Sequence, residues 1–241
     1  MLDLEGTKTM HELFDKNFPG VSGGAITIKG SQITRWGTGL DQRVVPCSTF
    51  KIVLAHLALE ANLVKNTEVM WKFSGKKSGR VEWDRDLCLR TALETSAEWY
   101  FQEVARQLGA ERLRAGVKKL GYGSGWSGKT PASAWHDGTI TISPMEHVLV
   151  MQRLSAGTWP FPAPMQTSVK KCLAYPVDRD VQLWGKTGSS AKEKDGRSIG
   201  WYVGAFTRDG ESTAFAILRR APDAVGPKVR AELVRRLKTF Y

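Results

Sequence analysis

The sequence has few cysteines and lacks any hydrophobic run long enough to cross a membrane. Its cysteines, Cys47, Cys88 and Cys172, are widely spaced and odd in number, and they form no Cys-x-x-Cys zinc pattern and no disulfide framework. The histidines show no His-Glu-x-x-His spacing, which argues against a metal-dependent hydrolase. We therefore expect no metal site, no membrane span and buried thiols that act as small hydrophobic side chains.

Acidic residues are also scarce, because 24 Asp and Glu face 35 Lys and Arg, which gives a formal charge of +11. No aromatic-interleaved motif accompanies the basic residues, so we expect no nucleic-acid partner and a surface that attracts anionic ligands. The first residues lack the basic start and apolar core of a signal peptide. This leaves two expectations open: a cytosolic protein, or one whose leader has been replaced by Met1.

Strand patterns stand at both ends of the chain. Gly24–Lys29 and Gln32–Trp36 alternate around a Gly30-Ser31 turn, and three further strand patterns follow at 181–188, 198–206 and 213–219. Helical patterns fill the middle and the C-terminus: 48–61, 87–93, 99–108, 112–120, 143–154 and 228–240, with a short one at 11–17.

This order predicts an α+β fold, in which an antiparallel sheet formed by both chain ends is flanked by helices. A mostly helical lobe, at about 48–178, interrupts the sheet. At 241 residues the chain can bury one sizeable core, so we expect a single domain over 1–241. Its α/β lobe would comprise about 1–47 and 179–241.

The segment Pro46–Lys51 combines a hydroxyl with an amine at the start of the longest apolar helical pattern. The spacing of Ser48 and Lys51 places both side chains on one face, one turn apart. A lysine whose pKa is lowered can take the proton of a serine nucleophile, and backbone N–H groups at a helix start can hold an oxyanion. Ser-x-x-Lys occurs four times in the chain, however, so an ordinary helix cap is the alternative for an isolated match.

The stretch from Gly123 to Thr130 matches the P-loop string G-x-x-x-x-G-K-[ST]. A true P-loop follows a buried strand and opens a long helix, and the sequence here shows neither. A flexible Gly/Ser loop is the preferred interpretation over a nucleotide-binding site.

Three further short motifs follow Ser48: Ser96-Ala97-Glu98, Tyr122-Gly123-Ser124 and Lys186-Thr187-Gly188. In this order the set resembles the serine β-lactamases and penicillin-binding proteins. In detail it resembles the class D β-lactamases, through Ser-Thr-Phe-Lys at 48–51, the tryptophan loop at 135–138 and Gly-Trp-Tyr-Val-Gly at 200–204. The resemblance extends from about residue 22 to residue 238. It implies a hydrolase that opens β-lactam rings and works in the periplasm or outside the cell.

The resemblance also implies a role for each matching residue. Ser48 would be acylated, Lys51 would take its proton, and Ser96 would relay a proton to the leaving nitrogen. In class D enzymes the matching lysine is carbamylated by CO₂, and no other cofactor is expected. For Ser96 the alternative from its position is a cap for the helix that follows.

Substrate binding falls to a second group of residues in the same resemblance. Lys186, which is counted among the catalytic residues, and Thr187 would present a cation and a hydroxyl to the substrate carboxylate, and Gly188 would line the same substrate site. The N–H groups of Ser48 and Ser189 would form the oxyanion hole. Trp135 would orient the modified lysine, or else be a plain core residue. Arg230 matches the family's carboxylate-binding arginine, or else is a surface basic residue.

Glu98 departs from the class D pattern, which carries an apolar valine at this position. A carboxylate here would pair with Lys51, hold it as an ammonium group and repel a carbamate. Ser96-x-Glu98-Trp99-Tyr100-Phe101 resembles the sensor domains of β-lactam receptors, which hydrolyse their acyl group extremely slowly. A sensor that remains acylated is therefore the alternative to a β-lactamase with slow deacylation.

Overall fold

The computed structural model describes residues 23–178 and 180–240. Its strands are β1 (Gly23–Lys29), β2 (Gln32–Gly37), β3 (Ala174–Asp178), β4 (Val181–Ser189), β5 (Ser198–Arg208) and β6 (Glu211–Ala221). Its helices are α1 (Lys51–Glu60), α2 (Leu89–Thr95), α3 (Glu98–Leu120), α4 (Pro144–Ser155), α5 (Ala163–Cys172) and α6 (Gly226–Phe240). Two 3₁₀ turns, at Cys47–Phe50 and Pro131–Ser133, complete the described elements.

The six strands form one antiparallel sheet in the order β2-β1-β6-β5-β4-β3. The two chain ends meet in it because β1 pairs with β6, with Ala25 opposite Ile217. This confirms the predicted α+β architecture. The sheet resumes with β3 at Ala174, slightly before residue 179, and neither β3 nor α5 was predicted from the sequence.

The two faces of the sheet bury separate apolar clusters. One face packs against α6, whose Val229, Leu233 and Leu237 repeat at helical spacing and are buried. The other face packs against the helical lobe, and its cluster includes Ile26 and Trp201. A side chain on β4 therefore points either towards α6 or towards the helical lobe, depending on its place in the strand alternation.

Helix α1 lies at the centre of the helical lobe, since eight of its ten residues are buried. A helix that is apolar on all sides belongs in a core, and this burial fixes the position of the site residues at its start. Helix α3 crosses it closely at Gly116, where a Cβ atom would meet Leu57 Cδ2 at 2.5 Å. The close packing of α1 and α3 thus depends on a glycine.

The structure tests further details of the sequence-based prediction. The predicted end of a helix at Gly109 is confirmed, because α3 consists of two helical segments that meet at a kink there, where Gly109 has a non-helical conformation with positive φ (φ 72°, ψ 173°). The loop 123–130 follows a helix and leads to one 3₁₀ turn, so the P-loop alternative is wrong. The helix predicted at 11–17 lies outside the described residues.

Among the residues that the structure describes, no helix combines the length and the apolar character needed to cross a membrane.

Candidate active site

Ser48 lies in the 3₁₀ turn that leads directly into α1. The turn begins after Pro46, with Cys47 in a left-handed conformation (φ 51°) and its N–H donating to the carbonyl oxygen of Trp135 at 3.1 Å. No side-chain cap bond forms here, so the helix-cap alternative for Ser48 is wrong. Its Oγ instead accepts a hydrogen bond from Lys51 Nζ at 3.1 Å, as expected for side chains one turn apart.

The Lys51 amine is fully buried and has several acceptors around it. Nζ lies 2.9 Å from the carbonyl oxygen of Ser96, 3.4 Å from Ser96 Oγ and 2.7 Å from Glu98 Oε2. Burial lowers the pKa of Lys51, and the charge and hydrogen bond of Glu98 oppose this shift. The lysine is thus placed between the Ser48 hydroxyl and a carboxylate.

Glu98 is the first residue of α3, and its two carboxylate oxygens have different partners. Oε2 accepts from Lys51, whereas Oε1 accepts from Trp135 Nε1 at 3.1 Å and lies 3.2 Å from His136 Nε2. Because a carboxylate is an acceptor only, His136 must carry its proton on Nε2 for this contact to be a hydrogen bond. Burial raises the pKa of Glu98, but His136 and Lys51 outweigh it and lower this pKa to about 2.

Strand β4 forms the opposite wall of the site. Gly188 comes so close to the 3₁₀ turn that carries Ser48 that a Cβ atom would lie 3.0 Å from the carbonyl oxygen of Pro46 and 3.1 Å from Thr49 Cγ2. Lys186 is buried, and its Nζ donates to the carbonyl oxygen of Thr187 at 3.3 Å. Burial, followed by the charges of Lys51 and Arg230, holds the pKa of Lys186 well below its usual value.

The structure therefore brings together most of the residues that the sequence singled out. Ser48, Lys51, Ser96, Glu98 and Trp135 form one chain of hydrogen bonds. Trp184 of β4 pairs with Ala174, the first residue of β3, and β4 continues beyond this pair, so its last residues run alongside the turn that carries Ser48.

Three predicted residues have other neighbours. Ser189 Oγ accepts from the N–H of Gly226, and Thr187 pairs with Tyr202 in β5. Arg230 stacks on the ring of Tyr175, with its guanidinium carbon 4.3 Å from the ring centroid. The structure thus places Arg230 against β3, and no hydrogen bond joins it to Lys186 or Thr187 among the described residues.

Two alternatives for individual residues are also resolved. Ser96 does not cap α3, because it ends α2 in a left-handed conformation (φ 59°, ψ 37°) and Ala97 stands at the cap position. Trp135 is fully buried, but its indole N–H binds Glu98, so it is more than a core residue. His136 was not predicted as a site residue. The sequence signal for His136 is that it directly follows Trp135. This signal indicates a site residue only once Glu98 is known to contact Trp135.

Comparison with known proteins shows the family of this chain. The sequence matches the penicillin-binding protein transpeptidase domain over residues 23–238. This chain belongs to that family. The predicted likeness to class D β-lactamases is confirmed as well, since such enzymes are among its similar relatives and solved structures.

Three of the proteins similar to this chain differ in their named functions. The chain is 31% identical to the probable β-lactamase YbxI of Bacillus subtilis (strain 168), over 73% of this chain and 64% of YbxI. The class D β-lactamase FUS-1 (OXA-85) of Fusobacterium nucleatum subsp. polymorphum has a TM-score of 0.82 at 29% identity, covering 90% of this chain and 91% of that one. The C-terminal domain of the Bacillus licheniformis BlaR penicillin-receptor has a TM-score of 0.84 at 28% identity, covering 91% of each chain.

The chain spans only part of the first relatives. Its alignment covers 64% of YbxI and 28% of the regulatory protein BlaR1 of Bacillus licheniformis, to which it is 31% identical over 72% of its own length. The proteins to which this chain is similar therefore include both β-lactamases and a penicillin receptor.

Proposed function

We propose that this protein is a serine β-lactamase that opens β-lactam rings through an acyl-enzyme at Ser48. The observation that carries the proposal is the 3.1 Å contact between Ser48 Oγ and the buried Nζ of Lys51. A buried lysine loses part of its preference for the charged form, so it can accept the proton of a hydroxyl that would otherwise be a weak nucleophile. The likeness to named class D β-lactamases supports the same reaction.

In the acylation step, Ser48 Oγ attacks the lactam carbonyl carbon and forms a C–O bond while its proton moves to Lys51. The C–N bond of the lactam then breaks, and Ser96 relays a proton to the nitrogen. Ser96 is suited to this relay because its Oγ lies 3.4 Å from Lys51 Nζ. First-turn N–H groups have no helical acceptor, and the N–H of Ser48 with that of Ser189 would hold the oxyanion.

The substrate carboxylate would bind beside β4. Lys186 brings a cation to this wall, and Thr187 offers a hydroxyl and backbone groups. Burial, followed by the charges of Lys51 and Arg230, lowers the pKa of Lys186, and a bound carboxylate would oppose this shift by favouring the cationic form of Lys186. The net charge of +11 favours the approach of anionic β-lactams.

A β-lactam sensor that remains acylated is the second candidate. One observation favours it: the Glu98 carboxylate holds Lys51 at 2.7 Å and stabilises its ammonium form, which cannot act as a base. The likeness to the BlaR penicillin-receptor domain is the supporting comparison.

Intact mass after exposure to benzylpenicillin tests the proposal. We expect wild-type protein to gain the mass of one penicillin and then lose it, whereas Ser48→Ala gains none. Ser74→Ala is the matched control, because Ser74 also begins a Ser-x-x-Lys string but is exposed. An unchanged adduct on Ser48→Ala would refute the assignment.

Nitrocefin turnover separates the two candidates. Many turnovers per protein molecule favour the β-lactamase, whereas a single stoichiometric burst favours the sensor.

We further propose that the protein acts in the periplasm or outside the cell, where β-lactams reach it first. Its relation to the class D enzymes supports this location. Fractionation of the native host, with an antibody to this chain, would test it. A signal confined to the cytosolic fraction would contradict it.

A further inference from the structure

Glu98 already supplies a carboxylate where the resemblance would place a carbamate. Its Oε2 binds Lys51 at 2.7 Å, and its Oε1 accepts from Trp135, the tryptophan expected to orient the modified lysine. The side chain is 24% exposed while Lys51 is fully buried, so water can approach the carboxylate but not the amine. The chain itself thus provides an anionic group at this place.

A carbamate on Lys51 does not fit this arrangement. The added carboxylate would stand beside that of Glu98, and two like charges in a buried site disfavour each other strongly. Trp135 has one N–H group, which is already given to Glu98 at 3.1 Å. A second carboxylate would therefore have neither its tryptophan donor nor a neutral neighbour.

We propose that Glu98 is the anionic proton acceptor of this site and that acyl-enzyme hydrolysis here proceeds without CO₂. This inference rests on the proposed acylation of Ser48. It gives Glu98 a productive role in deacylation, in contrast to the inhibitory one expected from the sequence.

The proton balance of deacylation closes with these residues alone. The pair of Lys51 and Glu98 enters deacylation with the one proton that it held before acylation, because the proton that Lys51 takes from Ser48 goes on to the lactam nitrogen. This proton rests on Lys51 as an ammonium group beside the Glu98 carboxylate. Water forms a C–O bond with the acyl carbon and passes a proton to Glu98 while Lys51 shifts its own proton towards Ser48 Oγ. The bond from that carbon to Oγ then breaks, and Oγ keeps the proton from Lys51. Glu98 returns its proton to Lys51 across the 2.7 Å contact, and the released carboxylic acid loses its proton to solvent.

The low pKa of Glu98 belongs to the resting state, in which Lys51 is an ammonium group, and not to the reacting state. His136 and Lys51 keep this pKa at about 2 while Lys51 is an ammonium group. When Lys51 gives a proton to Ser48, that charge disappears and Glu98 becomes a stronger base. The ion pair can therefore act as one unit that holds a single mobile proton.

His136 is the positioning residue for this carboxylate. Its Nε2 lies 3.2 Å from Glu98 Oε1, and its side chain is 39% exposed, whereas Trp135 on the same oxygen is fully buried. Two donors on Oε1 leave Oε2 directed at Lys51.

The test compares Glu98→Gln and Glu98→Val with wild type in CO₂-depleted buffer and in buffer with added bicarbonate. Decay of the penicillin adduct is followed by intact mass, and a carbamate is sought by carbon-13 NMR after labelled bicarbonate is added. Glu103→Gln is the matched control, since Glu103 lies on the same helix and pairs on the surface with Arg106 and Gln107.

We expect the wild-type and control adducts to decay equally fast with and without bicarbonate, and to show no carbamate signal. Without CO₂, Glu98→Gln should decay about 10²- to 10⁴-fold more slowly, the usual contribution of a general base. Glu98→Val should gain a carbamate signal and a bicarbonate-dependent decay, which a merely structural role for Glu98 would not produce.

The results distinguish failure of the proposed acylation of Ser48 from failure of the proposed role of Glu98. A wild-type protein that forms no adduct refutes acylation of Ser48. A wild-type adduct that forms but persists, or that decays only with bicarbonate, overturns the role of Glu98 while leaving acylation intact. Unchanged decay in Glu98→Gln also overturns it.

Discussion

Gly188→Ala tests whether β4 and the turn that carries Ser48 form one rigid unit. A Cβ atom at this position would lie 3.0 Å from the carbonyl oxygen of Pro46, 3.1 Å from Thr49 Cγ2 and 3.2 Å from Cys47 Cβ. Carbon atoms prefer a separation of about 3.5–4.0 Å, so the strand and the turn must move apart by roughly half an ångström. Most of these atoms belong to the backbone or lie close to it and cannot rotate away.

The size of the effect follows from this displacement. Overfilling a packed site costs about 1–3 kcal/mol, and for a chain of this length that lowers Tm by roughly 2–12 °C. Because an error of about 1 Å in the position of reacting groups can cost about 100-fold in rate, half of that displacement should slow acylation by about tenfold. The loss should appear in the rate of adduct formation, because β4 with Lys186 moves relative to Ser48. Ser48 and Lys51 themselves remain in place relative to each other.

Acylation by benzylpenicillin, followed by quenched intact mass, gives the rate, and thermal unfolding gives Tm. Gly75→Ala is the matched control. A Cβ atom there would meet Phe73 at a similar 3.2 Å, but the contact is with the end of a side-chain ring that can rotate. We expect the control to lose little stability and no acylation rate.

Wild-type rate and Tm in Gly188→Ala would refute the reasoning. That result would mean that the turn shifts freely against β4, and the lysine of this strand would then not hold a fixed position opposite Ser48.

Three further predictions concern packing, pH and substrate binding. Gly116→Ala should lower the free energy of unfolding by about 1–3 kcal/mol, and by less in a Leu57→Ala background; an equal loss in both, measured in urea, would contradict the packing. Burial lowers the pKa of His56 to about 4 and of His147 to about 3. Below pH 6.5 the unfolded protein therefore binds more protons than the folded protein. As the pH falls from 6.5 towards 4, the free energy of unfolding should decrease by up to about 1.4 kcal/mol per pH unit for each of these two histidines. A His56→Phe variant with an unchanged pH slope in urea titrations would contradict this. Arg230→Ala should not raise KM for benzylpenicillin, because the guanidinium stacks on β3 and its charge disfavours the cationic form of Lys186; a clear rise in KM would restore its carboxylate-binding role.

Local patterns in the sequence predicted the elements that depend on neighbouring residues. The capping of α4 by Ser143 and the β1–β2 hairpin are confirmed because each is fixed within a few residues. Helix α5 and strand β3 were missed because α5 carries few apolar residues and β3 contains Pro176, so neither shows a clear period. The assignment of catalytic roles to the site residues stays a prediction.

The sequence by itself determined that Ser48 and Lys51 meet, because residues three apart in a helix are neighbours in any surroundings. Only the tertiary structure decided what stands on the other side of the amine. Glu98 lies 47 positions from Lys51 along the chain and His136 lies 38 from Glu98, and no local rule relates them. They meet because α1 is buried against α3 and because the left-handed turn at Ser96 directs the start of α3 towards the lysine. That packing converts a common serine–lysine motif into a site with its own carboxylate.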